Sequence, residues 1–169
     1  RLLAQDLNSI NGKIIKINKN NKSIEIISMG HRNPQGLTID KDTNLIYSSE
    51  HGPKGGDEIN TIDTTKTIQN YGWPISSYGE HYGNEKKDNS KLYKIAPLFK
   101  SHKDYGFIEP TKNYTPSIGI SELILFDMIN HKILLARSLG NNVSEGDMSL
   151  HIYFFDKDIL KKYKSITIN

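Results

Sequence analysis

Apolar and polar residues alternate along most of this chain in short runs broken by turn residues. Residues 12–18 (GKIIKIN) show the period-two pattern of a half-buried strand. After a turn of Asn and Lys, residues 23–28 (SIEIIS) repeat it, predicting a hairpin. Residues 36–40 and 44–49 form a second predicted pair across Lys41-Asp42-Thr43, and residues 58–62 a short strand beyond it. Residues 122–126, 132–137 and 150–155 form a later set. A helical period is sustained nowhere, with only a weak trace in the basic stretch 158–164, which reads as a frayed end.

Many short antiparallel strands with frequent turns predict an all-β sandwich, barrel or propeller, and periodicity does not choose among them. The absence of a strict repeat disfavours WD40 and kelch types. Residues 71–116 break the pattern, being rich in Gly, Tyr, Asn, Lys and Pro, and read as one connection of about 40 residues. Interleaved aromatics such as Tyr71, Trp73, Tyr78, Tyr82 and Tyr93 predict that this connection is ordered and functional.

Composition narrows the picture modestly. At 169 residues the chain can bury a real core, and 36% hydrophobic residues with a mean hydropathy of −0.56 are polar but globular. A net charge of +3, with scattered lysines, gives no nucleic-acid stripe. There is no cysteine, so disulfides and thiolate chemistry are excluded. No apolar run is long enough to cross a bilayer, and no signal peptide opens the chain. The first residue is Arg1 rather than Met, which predicts a start other than the natural one.

Four constellations carry candidate chemistry. In Gly30-His31-Arg32-Asn33-Pro34-Gln35-Gly36-Leu37, Pro34 holds Asn33 extended, so Arg32 and Asn33 point in fixed directions at a strand end. An Arg there offers a planar fork of donors to carboxylate or quinone oxygens; the plain alternative is a turn with a surface Arg. In Ser49-Glu50-His51-Gly52-Pro53-Lys54-Gly55-Gly56-Asp57-Glu58-Ile59-Asn60 the glycines permit close approach to a ligand, and the carbonyls of Gly52 and Pro53 could face a hard cation such as Ca²⁺. The spacing is neither an EF-hand nor a phosphate loop, and a polar hairpin loop is the plain alternative. Asn70-Tyr71-Gly72-Trp73-Pro74 and Thr115-Pro116-Ser117-Ile118-Gly119-Ile120-Ser121 complete the set, with Trp73 read first as a packing anchor. The six histidines form no H-x-x-x-H pair, and there is no G-x-S-x-G elbow.

Taken in order, GHRNPQGL, SEHGPKGGDEIN, NYGWP and TPSIGIS, preceded by DLNSINGKIIKI, resemble the soluble glucose/sorbosone dehydrogenase family over residues 5–126. The resemblance implies a six-bladed β-propeller of four-stranded sheets. At about 40–45 residues per blade, the chain would supply only some of the blades, as one partial propeller over residues 1–169. It implies pyrroloquinoline quinone (PQQ) and Ca²⁺ as cofactors. The reaction implied is oxidation of an aldose to its lactone, with hydride passing to the quinone and electrons to an external acceptor. It also implies a periplasmic or secreted location.

Residue by residue, the resemblance puts Arg32 on the quinone oxygens and Asn33 on the cofactor. The carbonyls of Gly52 and Pro53 fall on the cofactor Ca²⁺, and Glu58 and Tyr71 on a separate structural Ca²⁺. Tyr82 corresponds to a cofactor-lining tyrosine. The family's catalytic His falls upstream of this chain, so the chain alone is expected to be inactive. The basic residue for the PQQ carboxylates has no clear match; Arg137 lies nearest, followed by an apparent insertion over residues 141–148. The competing readings are a propeller interaction module without cofactor and a polysaccharide-binding lectin. Retention of Arg32 and Asn33 beside the Gly52-Pro53 turn favours the enzyme. The mouth of the site is expected on the long connection, with Tyr78, His81 and Tyr82 as specificity candidates.

Overall fold

The computed structural model describes residues 1–83, 90–128, 131–144, 146, 148–156 and 159–168. Among these residues eleven strands form three sheets, nearly without helix. The first sheet holds β1 (Lys13–Ile17), β2 (Ile24–Met29) and the short β6 (Gln69–Asn70). The second runs β3 (Pro34–Asp40), β4 (Leu45–Glu50), β5 (Asp57–Asp63) and β7 (Lys112–Tyr114). The third runs β8 (Leu123–Met128), β9 (His131–Ser138), β10 (Ser149–Asp156) and β11 (Ile159–Thr167). All pairings are antiparallel except β2 with β6. The all-β expectation and its hairpins are therefore borne out.

One expectation changes. The stretch read as a weak helix at 158–164 lies in β11; Asp158 itself falls outside the described residues. Pairing with β10 decides its conformation, since backbone groups on an open sheet edge are satisfied by a further strand. The long connection, expected to be ordered, carries short regular elements among its described residues. It contains a one-turn helix, α1 (Lys91–Ile95), capped by the Ser90 side chain, and it delivers β7 to the second sheet.

The sheets stack through interleaved apolar faces. Ile14, Ile46, Ile62 and Tyr71 join the first sheet to the second. Tyr47, Ile59, Tyr114, Ile120, Leu134 and Tyr153 form the larger core between the second and third. Close approach depends on Gly36: a Cβ there would stand 2.5 Å from the Leu123 nitrogen and 2.7 Å from the Ser121 carbonyl. Two polar latches reinforce this junction. The buried Asp57 carboxylate accepts N–H bonds from Ile118, Gly119 and Ile120 at 2.7–3.2 Å, tying TPSIGIS to the start of β5. Lys132 on β9 reaches Asp40 at 2.6 Å and Asp42 at 3.0 Å.

Candidate functional site

Three turns meet at one end of the first two sheets. The β2–β3 connection carries Arg32. It passes the NYG turn through Gly30, whose φ of +76° and contact with Asn70 Oδ1 exclude a side chain. The β4–β5 connection turns at Gly52, where a Cβ would fall 1.6 Å from the Gly56 carbonyl oxygen, and is closed by Gly56 N–H donating to Pro53 O at 3.1 Å. The third turn begins the long connection at Tyr71. Together they enclose a cavity of about 10 Å³ lined by Arg32, Glu50, Gly52, Pro53, Glu58, Tyr71, Trp73, Ser76, Ser77 and His102. That is room for one water-sized body.

Five of the residues singled out from sequence converge here. Arg32 is half-buried; its Nη1 donates to the His51 carbonyl at 2.7 Å and its guanidinium lies 5.4 Å from the Trp73 ring centre. Gly52 and Pro53 are buried in the wall. Glu58 is buried opposite Glu50, its direct partner across β4 and β5. Tyr71 stacks on His31 with centroids 4.8 Å apart and donates its hydroxyl to Thr61 O at 2.6 Å. Asn33 sits outside the cavity on an exposed rim beside Arg32, its Oδ1 accepting from Gln35 Nε2 at 3.0 Å.

Tyr82 is not among these residues. It is 67% exposed in a separate, open groove of about 1230 Å³. Lys54 and Gly55 form one side of that groove, and Tyr93, Thr115, Ser117 and Val143 line it further along. The groove starts one turn past the cavity, where Glu80 N–H donates to Lys54 O at 2.8 Å. Of the other mouth candidates, Tyr78 is tied to Glu109 at 2.7 Å, and His81 is buried between Arg1 and the Ala96 carbonyl. Arg137 is exposed on the third sheet with Nη2 3.2 Å from Met148 Sδ.

Sequence reasoning missed four cavity residues, Ser76 and Ser77 and the two with charge or ring nitrogens, Glu50 and His102. Glu50 lay in plain view at the end of a predicted strand, but nothing in the pattern set it facing Glu58. His102 comes from the long connection, where no periodicity marks a direction. Glu109 holds it in place by accepting the His102 and Lys103 N–H groups at 2.8 and 2.9 Å. Both His102 ring nitrogens lack a hydrogen-bond partner, and Nε2 stands 3.6 Å from Glu58 Oε1.

The electrostatics follow from burial. Desolvation works to raise the Glu50 carboxyl. Contact with His31 and the Arg32 and Asn33 N–H groups outweighs it and holds Glu50 below its ordinary range. Glu58 is pushed well above its range, first by burial and then by the charge on Glu50. His102 is lowered by burial, against the pull of Glu109. Two buried carboxylates face each other across a strand pair, a like-charge arrangement that is costly unless a proton or a cation enters. The cavity holds one water-sized body beside these carboxyls, and among the described residues no group of three or more His, Cys, Asp or Glu is placed to hold a metal.

The profile of the Glucose / Sorbosone dehydrogenase family matches residues 1–134. The chain belongs to this family. It is 36% identical over 104 residues to aldose sugar dehydrogenase YliI of Escherichia coli, covering 54% of this chain and 27% of the relative. It is also 36% identical over 94 residues to quinoprotein glucose dehydrogenase B of Acinetobacter calcoaceticus, covering 48% of this chain and 19% of the relative. The crystal structure of the soluble aldose sugar dehydrogenase of E. coli in its apo-form superposes on 98% of this chain and 48% of its own length. Its TM-score is 0.72 at 24% identity, a likeness of fold. The chain thus spans less than a third of these curated relatives and about half of the solved structure. Among the described residues no helix is long and apolar enough to cross a membrane.

Proposed function

We propose that this chain forms part of a PQQ- and Ca²⁺-dependent dehydrogenase that oxidises an aldose at its anomeric carbon to the lactone. The observation that carries this reading is the convergence of Arg32, Gly52, Pro53, Glu58 and Tyr71 on one small cavity, with Asn33 next to Arg32 in the adjoining depression. The opposed, buried Glu50 and Glu58 carboxyls are a like-charge pair that a cation beside them would relieve, which supports the reading. The family and the quinoprotein relative favour the quinone. On this reading the three sheets are consecutive blades of a six-bladed propeller, and the protein works in the periplasm or outside the cell.

PQQ, when bound, supplies the two-electron acceptor. Arg32 presents guanidinium donors to the oxygens on which negative charge grows, held in direction by His51 O and the Trp73 face. Asn33 adds an amide donor. Carbonyls of Gly52 and Pro53 would hold the cofactor's Ca²⁺ from the cavity wall, and Glu58 with Tyr71 would hold the structural Ca²⁺ within it. A His outside this chain takes the hydroxyl proton. The open groove beyond Lys54 forms the mouth, and Tyr82 offers the sugar an aromatic face there.

The test uses the protein expressed from its whole gene, titrated with PQQ and Ca²⁺ and assayed by cofactor absorbance and aldose-dependent dye reduction. Saturable binding and turnover are expected, with Arg32→Ala lowering turnover about 10²–10³-fold. A folded protein that binds no PQQ would leave the cofactor-free interaction module as the better account.

A further inference from the structure

The GHRNP and SEHGP motifs meet at a buried carboxylate, Glu50, that touches Arg32 as well as facing Glu58. Glu50 ends β4 and is 3% exposed. Its Oε2 accepts the Arg32 backbone N–H at 2.9 Å. Its Oε1 accepts from Asn60 Nδ2 at 3.0 Å and lies 3.6 Å from His31 Nδ1. The next residue, His51, gives its carbonyl to Arg32 Nη1 at 2.7 Å, and its own N–H donates to Asn33 O at 3.0 Å. Trp73, 8% exposed, closes the remaining side of the guanidinium. Arg32 is thus held at its backbone by the Glu50 side chain and at its head by the carbonyl next door. A surface turn carrying an arginine would need none of this, and a buried carboxylate is costly to keep.

We propose that Glu50 is a positioning residue, fixing the Arg32 backbone so that its guanidinium stays over Trp73 and faces the cavity. The role toward a cofactor rests on the dehydrogenase reading above; the clamp on Arg32 does not. Glu50 acts only through Arg32.

The test is a double-mutant cycle in the protein expressed from its whole gene, read in two ways. The first needs no cofactor: the Trp73 emission, taken as the part that Trp73→Phe removes. Glu50→Ala is expected to change this emission as Arg32→Ala does, and to change nothing further in the Arg32→Ala background. Glu50→Gln is expected to stay near wild type. It keeps an acceptor for the Arg32 N–H, and its amide can donate to Asn60 Oδ1, unpartnered at present, once the Asn60 amide flips about its terminal bond. The second readout is PQQ affinity, expected to fall about tenfold in Glu50→Ala and to be insensitive to Glu50 once Arg32 is Ala. If Glu50→Ala does not fold, Glu50→Asp, which withdraws the carboxylate by one methylene, takes its place in both cycles. Additive effects, or unchanged Trp73 emission in Glu50→Ala (in Glu50→Asp where that variant takes its place), would overturn the proposal. Absence of PQQ binding in wild type would defeat the dehydrogenase reading alone, because the emission cycle still decides the clamp.

Discussion

His151 shows how much one side chain's surroundings decide. It is fully buried on β10, with Nε2 2.6 Å from Ser138 Oγ and Nδ1 2.9 Å from Ser165 Oγ. Burial, aided by the charge of Lys162, pushes it from its ordinary 6.5 down to about 4. The unfolded chain therefore binds a proton that the folded chain refuses between these values. Its contribution to stability is full above pH 6.5 and is lost as pH falls toward 4. Urea midpoints measured over that window should fall for wild type, and His151→Gln should flatten the decline. An unchanged slope in the variant would refute the assignment. In the sequence His151 was one histidine of six with nothing to set it apart. Arg32, Gly52, Pro53, Glu58 and Tyr71 were picked out by the resemblance of their motifs to the family, and all five line one cavity. Glu50 and His102 were not picked out, because their roles depend on what faces them across strands and turns.

At the scale of elements, period-two alternation located the strands wherever one face is buried and the other wet. It failed at β11, whose lysines lie opposite β10 and give no clean alternation. It was equally mute on β7, a three-residue strand whose pairing with β5 arrives only after the long excursion. Gly36 is a junction of elements rather than a turn residue alone, since β3 meets the start of β8 there. Gly36→Ala should force the second and third sheets apart, at a cost of about 1–3 kcal/mol. Denaturant unfolding of the protein expressed from its whole gene checks this, and a midpoint equal to wild type would show that the junction has slack.

The whole molecule is a stack of three sheets with two apolar end faces. On the far side of the third sheet, Ile124, Leu135 and Ile152 align across β8, β9 and β10, and Phe126 pairs with Ile133. On the far side of the first, Ile15 pairs with Ile26 and Ile17 with Ile24. Ile17, Ile24, Ile124 and Phe126 are each about half exposed, at 49–56%. Sheets of a ring would cover these faces, and open edges invite association. The 169 residues expressed alone should therefore aggregate or self-associate, as light scattering would register. A soluble monomer melting cooperatively would contradict this.

By itself the sequence determined the all-β class, most strand positions and the motifs that carry the candidate chemistry. These depend on alternation, on Gly and Pro geometry, and on order along the chain, all local properties. Tertiary structure alone decided that the β2–β3 turn, the β4–β5 turn and the NYG turn share one cavity. It also set Glu50 opposite Glu58, seated Trp73 beside Arg32, and moved Tyr82 out to a separate groove. The physical reason is that strand register and sheet stacking bring together residues tens of positions apart, and no local period encodes which side chains will share a space that excludes water.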